Sequence, residues 1–296
     1  YDVFCYSNAG VPTLEFLAWT NDTTRATALV LQDGILVKTG ATTRRYLGTF
    51  YNPGNATATV TMTIASPCVV TWTGHNLPVN APIVFTTTGA LPTGITAGST
   101  YYIASNNSTT AMLTANTFNI SATPGGALLN TSGTQSGTHT GTVSTYTEDS
   151  KENRYVWNYD NRATRPMYHT SGAANYNYTT ATYRIAEANL ANILNFVIGV
   201  DDSVMCCELR HRRKNTVVAI ANYSTIGFDS ITGPSSLISG TSPIFGGADL
   251  YIIGASSWMD YPGIGKHYFS WIEHSTATGT CTWVATSGAI AAVLAN

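Results

Sequence analysis

Alternation of apolar and polar residues runs along much of the chain and predicts strands. The clearest case is segment 57–64, in which threonine occupies every second position and the positions between hold Ala58, Val60, Met62 and Ile64. Successive side chains of a strand point to opposite faces. This segment therefore has one polar face and one apolar face, as expected for a half-buried β-strand.

Two hairpins follow from turn residues between apolar runs. Segment 29–37 contains Asp33-Gly34, which supplies the positive φ angles that a tight turn needs. Segment 267–285 contains a Thr-Ala-Thr-Gly turn flanked by aromatic residues that can pair across strands.

Further strands are predicted where short runs of β-branched or aromatic residues end at Gly, Pro, Asn or Asp. These runs are 2–6, 13–19, 44–51, 82–85, 100–104, 111–115, 154–159, 176–183 and 195–200. The last run follows apolar residues at helical spacing in 186–197, so helix and strand compete there, and strand is favoured.

A change in charge divides the chain into two parts. Residues 55–145 contain no Lys, Arg, Asp or Glu, whereas charged residues occur on both sides. A low-complexity linker is the alternative, but aromatic and aliphatic residues recur too regularly for one. We predict an all-β protein: a β-sandwich or jelly-roll-like main domain formed by 1–54 and 146–296, with a small β module inserted at 55–145.

Composition supports the all-β prediction and argues against nucleic acid and a membrane as partners. Charged residues make up 10% of the chain and hydrophobic residues 44%, while about one residue in six is threonine, which suits the exposed face of a sheet. The net charge of −2 gives no electrostatic attraction to nucleic acid. The longest apolar run, 190–200, is broken by Asn192 and Asn195, so no membrane span is predicted.

The five cysteines have no CxxC spacing and are expected to be buried free thiols. Adjacent Cys206 and Cys207 would point to opposite faces of a strand and could not easily pair with each other.

Three stretches of the chain carry a family resemblance. They are 18–27 with 40–50, 147–150 with 155–162, and 261–268. Together they resemble virion proteins of tailed bacteriophages and prophages that are described as fibre, collar or minor structural components. Segment 55–145 resembles a small β module of phage tail and fibre proteins, through 74–78, 82–85, 91–92, 94–102 and 122–126. The resemblance implies a non-enzymatic structural protein of the virion and brings no catalytic residues with it.

That implied role suggests partners. We expect a homotrimer that assembles through β surfaces and contacts other virion proteins, because polar uncharged faces are buried without the desolvation cost of ions. The alternative function is a receptor-binding or glycan-cleaving fibre tip that acts on a bacterial surface glycan.

The densest charge is the basic run 210–214. Arg210, Arg212, Arg213 and Lys214 are candidates for a docking patch that meets an acidic neighbour or an anionic surface polymer. In a strand, Arg210, Arg212 and Lys214 share one face, and His211 and Arg213 take the other. The alternative is a solvated strand end kept soluble by charge.

Two tyrosines are candidates for stacking on sugar rings. Tyr176 and Tyr178 lie in a polar stretch where exposure is plausible, whereas Trp19, Trp157, Trp271 and Trp283 are expected in the core.

Acid and base groups for glycan cleavage are sparse. Glu273 with His274, or Asp260 with His267, could supply them, but no Asp/Glu pair stands out by spacing. We therefore predict no catalytic residue, no metal site and no cofactor.

Overall fold

The computed structural model describes the chain except residues 53–55, 76, 78, 79, 105–115, 144–146, 148, 172–174, 218, 219, 221, 236–249 and 296, and the side chains at 285–287 and 295. The chain divides into two compact units, Tyr1–Tyr51 with Thr147–Asn296, and Asn52–Tyr146. The divisions lie close to the edges of the charge-free interval. The predicted strand 111–115 falls outside the described residues.

The all-β prediction is confirmed. In the described ranges the regular structure consists of strands, apart from one 3-10 turn at Ala186–Ala188. The same ranges contain no helix with the length and apolar character needed to span a membrane.

The second unit is a closed six-stranded barrel. Its strands follow the order β10-β7-β6-β11-β8-β9 around the barrel. They are β6 (Ala56–Met62), β7 (Val69–Thr71), β8 (Pro82–Thr87), β9 (Thr100–Ala104), β10 (Thr117–Ser121) and β11 (His139–Val143). The predicted alternation is observed in β6, where Val60 and Met62 are buried and the threonines are exposed. Ile64 lies beyond the end of β6 and is exposed, so the predicted strand was too long.

The first unit contains two facing sheets. The front sheet has the order β14-β22-β18-β20, with β15 also paired to β22. The back sheet has the order β12-β17-β21-β16, with β19 also paired to β21. The front strands are β14 (Thr164–Thr170), β15 (Tyr176–Tyr178), β18 (Met205–Asn215), β20 (Ile252–Asp260) and β22 (Cys281–Ala295). The back strands are β12 (Asn153–Arg154), β16 (Tyr183–Ile185), β17 (Ile193–Ile198), β19 (Tyr223–Phe228) and β21 (Gly265–His274).

A third sheet is formed by the N-terminal residues. Its order is β2-β1-β5-β4-β3, and β13 also pairs with β5. Its strands are β1 (Asp2–Asn8), β2 (Val11–Leu17), β3 (Leu29–Gln32), β4 (Ile35–Lys38), β5 (Ala41–Phe50) and β13 (Val156–Asn158). The predicted hairpin around Asp33-Gly34 is present as β3 and β4, and both turn residues have positive φ. The hairpin predicted at 267–285 is wrong, because β21 belongs to the back sheet and β22 to the front sheet, so the turn between them connects two sheets.

One hydrophobic core joins the three sheets. Phe4 and Trp157 enter it from the N-terminal sheet, Phe269 and Trp271 from the back sheet, and Trp258 from the front sheet. At a typical 1.5–3 kcal/mol for burying one large apolar side chain, this shared core supplies the main stabilisation of the unit. Trp157, Trp271 and Trp283 are fully buried as expected, whereas Trp19 is half-buried.

Two predicted strands are each split in the structure. Segment 176–183 becomes β15, which pairs with β22, and β16, which starts at Tyr183 and pairs with β21. The chain crosses here from the front sheet to the back sheet, so one continuous alternation serves two sheets. Segment 154–159 likewise divides between β12 of the back sheet and β13 of the N-terminal sheet.

Removal of the barrel tests whether the first unit folds by itself. We expect a chain in which Tyr51 is joined to Thr147 through a short glycine linker to keep a cooperative unfolding transition, because the sandwich core contains no barrel residue. Circular dichroism during thermal unfolding measures this, with the full-length chain as the control. A soluble product that loses signal gradually, without a transition, would contradict the expectation.

Candidate assembly surface

The front sheet presents an outward surface made by alternate residues of four strands. We call it the front face: Pro166, Tyr168 and Thr170 of β14; Ala289, Ala291 and Val293 of β22; Cys206, Glu208, Arg210 and Arg212 of β18; Ile253, Ala255, Ser257 and Met259 of β20. Residues of neighbouring strands form rows across it. One row holds Val293, Cys206 and Met259, and the next holds Tyr168, Ala291, Glu208 and Ser257.

Large apolar side chains on the front face are unusually exposed. Ile253 is 67% exposed and Met259 66%, while Tyr168 and Val293 are each exposed by almost half. Val293 and Met259 share one row with Cys206, and exposed apolar side chains grouped on one face are a feature of contact sites in soluble proteins.

The positions on either side of β18 in the middle of the front face hold small, uncharged residues. Ala255, Ala289 and Ala291 project little, and small side chains let a second sheet approach closely. The central charges are Glu208 and Arg210, whose carboxylate and guanidinium lie 3.7 Å apart on well-exposed side chains. This separation is longer than a hydrogen bond, so the pair holds its two groups weakly.

The basic run is split between two faces of β18, as the strand alternation predicts. Arg210 is the most exposed of its cations, while Arg212 and Lys214 lie over the ring of Tyr251 at 4.2 and 5.3 Å. Arg213 must be removed from the candidate docking patch, because its side chain points inward and is fully buried. A docking role for Arg210, Arg212 and Lys214 stays a prediction.

The inward side of β18 carries two polar groups into the sandwich. His211 lies edge-on to Trp271 and stacked on Trp283, with ring centroids 4.5 and 5.3 Å away. The hydroxyl of Ser224 is 3.2 Å from His211 Nδ1 and accepts a 3.3 Å hydrogen bond from Arg213 Nη1. Burial, followed by the charge of Arg213, lowers the pKa of His211 to about 3, so the imidazole is neutral at physiological pH.

Two glycines leave room for these side chains. A Cβ at Gly254, which faces His211 across the β18–β20 ladder, would lie 2.1 Å from Arg213 Nη1. A Cβ at Gly288 would lie 2.0 Å from Trp271 and 2.9 Å from His211. The positions need glycine because the interior space is already filled.

Of the two tyrosines predicted to stack on sugars, Tyr178 is buried and Tyr176 is half-buried. The Tyr176 ring stacks on Trp283 with centroids 6.5 Å apart, and its hydroxyl donates to Glu273. Tyr178 is buried, and the guanidinium of Arg184 lies 3.8 Å above its ring. Each ring has one face against a protein side chain, so Tyr178 has no room for a sugar, and glycan stacking by Tyr176 stays a prediction. Their strand pairs with β22 at the Trp283 position, a contact that local sequence does not reveal.

Glu273 is a fully buried carboxylate with both oxygens engaged. Arg184 Nε donates to one oxygen at 2.7 Å, and the Tyr176 hydroxyl donates to the other at 2.5 Å. Burial raises the pKa of Glu273 to about 6, although Tyr176 and Arg184 act in the opposite direction. His274, the next residue, takes the other face of β21 against Tyr183, as expected for a strand.

The predicted pair of Asp260 and His267 does not form, because His267 is paired with Asp229 instead. His267 Nδ1 lies 2.7 Å from the carboxylate of Asp229, whereas Asp260 accepts from the backbone of Tyr261 at the end of β20. The Asp229 carboxylate also accepts from the backbone N–H of Tyr268, so it orients the imidazole.

The remaining groups with possible chemistry are metal ligands and thiols. Across the described ranges, no three His, Cys, Asp or Glu side chains are grouped to hold a metal ion. The five cysteines are free, with Cys68, Cys207 and Cys281 buried and Cys206 half-buried on the front face. Burial raises the pKa of the Cys207 thiol well above its usual value, which suppresses the reactive thiolate.

Comparisons with known proteins add little. No protein family profile matches the chain, and no curated protein matches its sequence. Two similar solved structures are those of infectious bursal disease virus, Gx and Gt strains. They have TM-scores of 0.30 and 0.28 and 12% identity, and cover 100% and 99% of this chain and 67% of each of those chains. A likeness this weak carries no functional argument, and the resemblance to phage proteins stays an expectation from sequence.

Gly254→Ala tests the packing around Arg213. We expect it to lower the free energy of unfolding by about 1–3 kcal/mol, because the added methyl displaces a buried guanidinium. Gly233→Ala is the matched control, since a Cβ there meets no atom within 4 Å. Urea unfolding measures both variants. Equal stability of the two would contradict this account.

Glu273→Gln tests the buried carboxylate. The folded chain binds this proton more tightly than the unfolded chain, with a pKa of about 6 against 4.5. The resulting stabilisation is complete below pH 4.5 and is lost as the pH rises through 6. Relative to the variant, we expect the parent to lose about 2 kcal/mol of unfolding free energy between pH 4.5 and 7.

Urea unfolding of both chains at three pH values makes this measurement. His211 is present in both chains, so the difference between them isolates Glu273. A difference that stays constant with pH would rule out the raised pKa.

Proposed function

We propose that this chain is a non-enzymatic structural component of a virus particle, of the bacteriophage kind that its sequence resembles, and that it assembles through the front face. One observation carries the proposal: one face of a four-stranded sheet exposes Ile253, Met259, Tyr168 and Val293, with small residues on either side of the central Glu208 and Arg210. Such a surface is costly in water and is stabilised when a second β surface covers it.

The low charge of the chain fits an assembling protein. Burying an ion in an interface costs several kcal/mol unless it gains a partner, whereas alanine is buried at little cost, as are threonine and serine whose hydroxyls keep a hydrogen bond. With 10% charged residues, large areas of this chain can enter contacts without that penalty.

The partners in this proposal are further copies of the chain and other virion proteins, with the virion as its location. The homotrimer expected from sequence belongs to the proposal, and light scattering on the purified chain measures that number directly.

The alternative, a receptor-binding or glycan-cleaving fibre tip, has less support. Glycan cleavage needs a carboxylic acid that reaches the substrate. Glu273 has a suitably raised pKa, but it is fully buried and held by Arg184 and Tyr176. Of the tyrosines predicted to bind sugar, Tyr178 is buried, and one face of the half-buried Tyr176 lies against Trp283.

Met259→Glu tests the front face. We expect this substitution to abolish association through the front face, because it replaces one of the most exposed apolar side chains of that face with a charge that has no partner. Leu31→Glu in β3 is the matched control, since Leu31 is exposed to nearly the same extent, 64% against 66%. Sedimentation velocity over a concentration series measures the association of parent and variants. If Met259→Glu associates as the parent does, the front face is not the assembly surface.

A further inference from the structure

We propose that the front face pairs with the front face of a second copy of this chain around a two-fold axis, so that Glu208 of each copy lies opposite Arg210 of the other. This inference rests on the proposed function and specifies its geometry. It follows from the order of residues along β18 and from the strand register on both sides of it.

The positions of the two charges select the axis. Glu208 and Arg210 occupy successive outward positions on the same central strand. A two-fold axis that lies between the two sheets, runs across the strands and passes midway between these rows places each Glu208 over the partner copy's Arg210. An axis parallel to the strands would instead place Glu208 over its own equivalent, with like charges facing each other. Charge complementarity therefore favours the first arrangement.

The same axis also pairs the apolar residues. Met259 lies beside Cys206, two residues before Glu208, and Ile253 lies beside Arg212, two residues after Arg210. The operation that exchanges the rows of Glu208 and Arg210 also exchanges these outer rows. Met259 of one copy then lies over Ile253 of the other, which pairs the two most exposed apolar side chains of the face.

Small residues occupy the remaining central positions. In the same arrangement Ser257 lies over Ala255, and Ala291 over Ala289, because these residues share rows with Glu208 and Arg210. With small side chains facing small side chains, the two sheets can approach to the spacing of about 10 Å that is usual for stacked sheets.

The charges gain from this pairing. Within one copy, Arg210 and Glu208 are 3.7 Å apart, too far for a hydrogen bond, and both are well exposed. The pairing brings two carboxylates and two guanidiniums into an alternating group of four. Each charge then has an oppositely charged partner in its own copy and another in the second copy. These attractions offset the free-energy cost of removing the charge from water.

The contact is small. Four strands about 4.8 Å apart and four rows about 6.7 Å apart cover about 19 Å by 27 Å, or about 500 Å² on each copy. Two copies together bury about 1,000 Å², which is still below the usual range for stable complexes. We therefore expect association at tens to hundreds of micromolar in solution, and a firmer contact where many copies are held together in a particle. A two-fold contact by itself gives a dimer. If a separate contact forms the homotrimer, the two-fold contact joins one trimer to another.

Charge reversal tests the pairing. Glu208→Arg and Arg210→Glu should each weaken self-association by roughly tenfold or more, because like charges then face each other across the axis. An equimolar mixture of the two single variants should restore association to the parent level, since every facing pair in the mixed dimer is opposite in charge. The chain carrying both reversals should also associate as the parent does.

Sedimentation velocity at equal total concentration measures all five samples, and circular dichroism checks that each variant is folded. If the mixture associates no better than the single variants, the two-fold pairing is wrong. A parent chain that stays monomeric at its highest soluble concentration also overturns it. If Met259→Glu abolishes association while the mixture fails to restore it, the front face is still the assembly surface and only the two-fold geometry is lost. If Met259→Glu has no effect, both proposals fall.

Discussion

Strand β18 imposes the constraint on which most of the first unit depends. It pairs with β22 on one side and with β20 on the other, so its register fixes the whole front sheet. Its residues alternate strictly between buried and outward-facing positions from Met205 to Asn215. Because the strand cannot turn single side chains around, a sequence that places five polar residues in a row must send some of them into the core.

The interior accommodates those residues through specific partners. His211 is held between two tryptophans, and Arg213 reaches Ser224 in a space that Gly254 leaves open. Buried groups of this kind cost free energy unless their hydrogen bonds are made, and they penalise packings in which those bonds are lost. Glu273 is a buried polar group of the same kind, since it accepts hydrogen bonds from Arg184 and Tyr176, which lie on strands of different sheets.

The outward side of the same strand sets the character of the surface. Its neighbours on β20 and β22 are alanine, serine and a few large apolar residues, so the charges of β18 stand in an otherwise uncharged area. A face of this kind exposes apolar surface to water, and covering it with a matching sheet lowers the free energy by removing that surface from water. The rigid core beneath it, with Trp258 stacked on Phe228, keeps it in shape for such a contact.

Local periodicity and turn chemistry were enough to predict the all-β class, the alternating faces of β6 and β18, and the hairpin at Asp33-Gly34. They could not determine which strands pair or in what register. Segment 176–183 shows the difference, since its pattern is continuous while its two halves join opposite sheets. Other features depend on residues that are distant in sequence. Tyr176 packs on Trp283, Arg213 occupies space beside Gly254, and Met259 lies next to Cys206 in one row. Such contacts are decided by packing across the whole core, so only the tertiary structure reveals them.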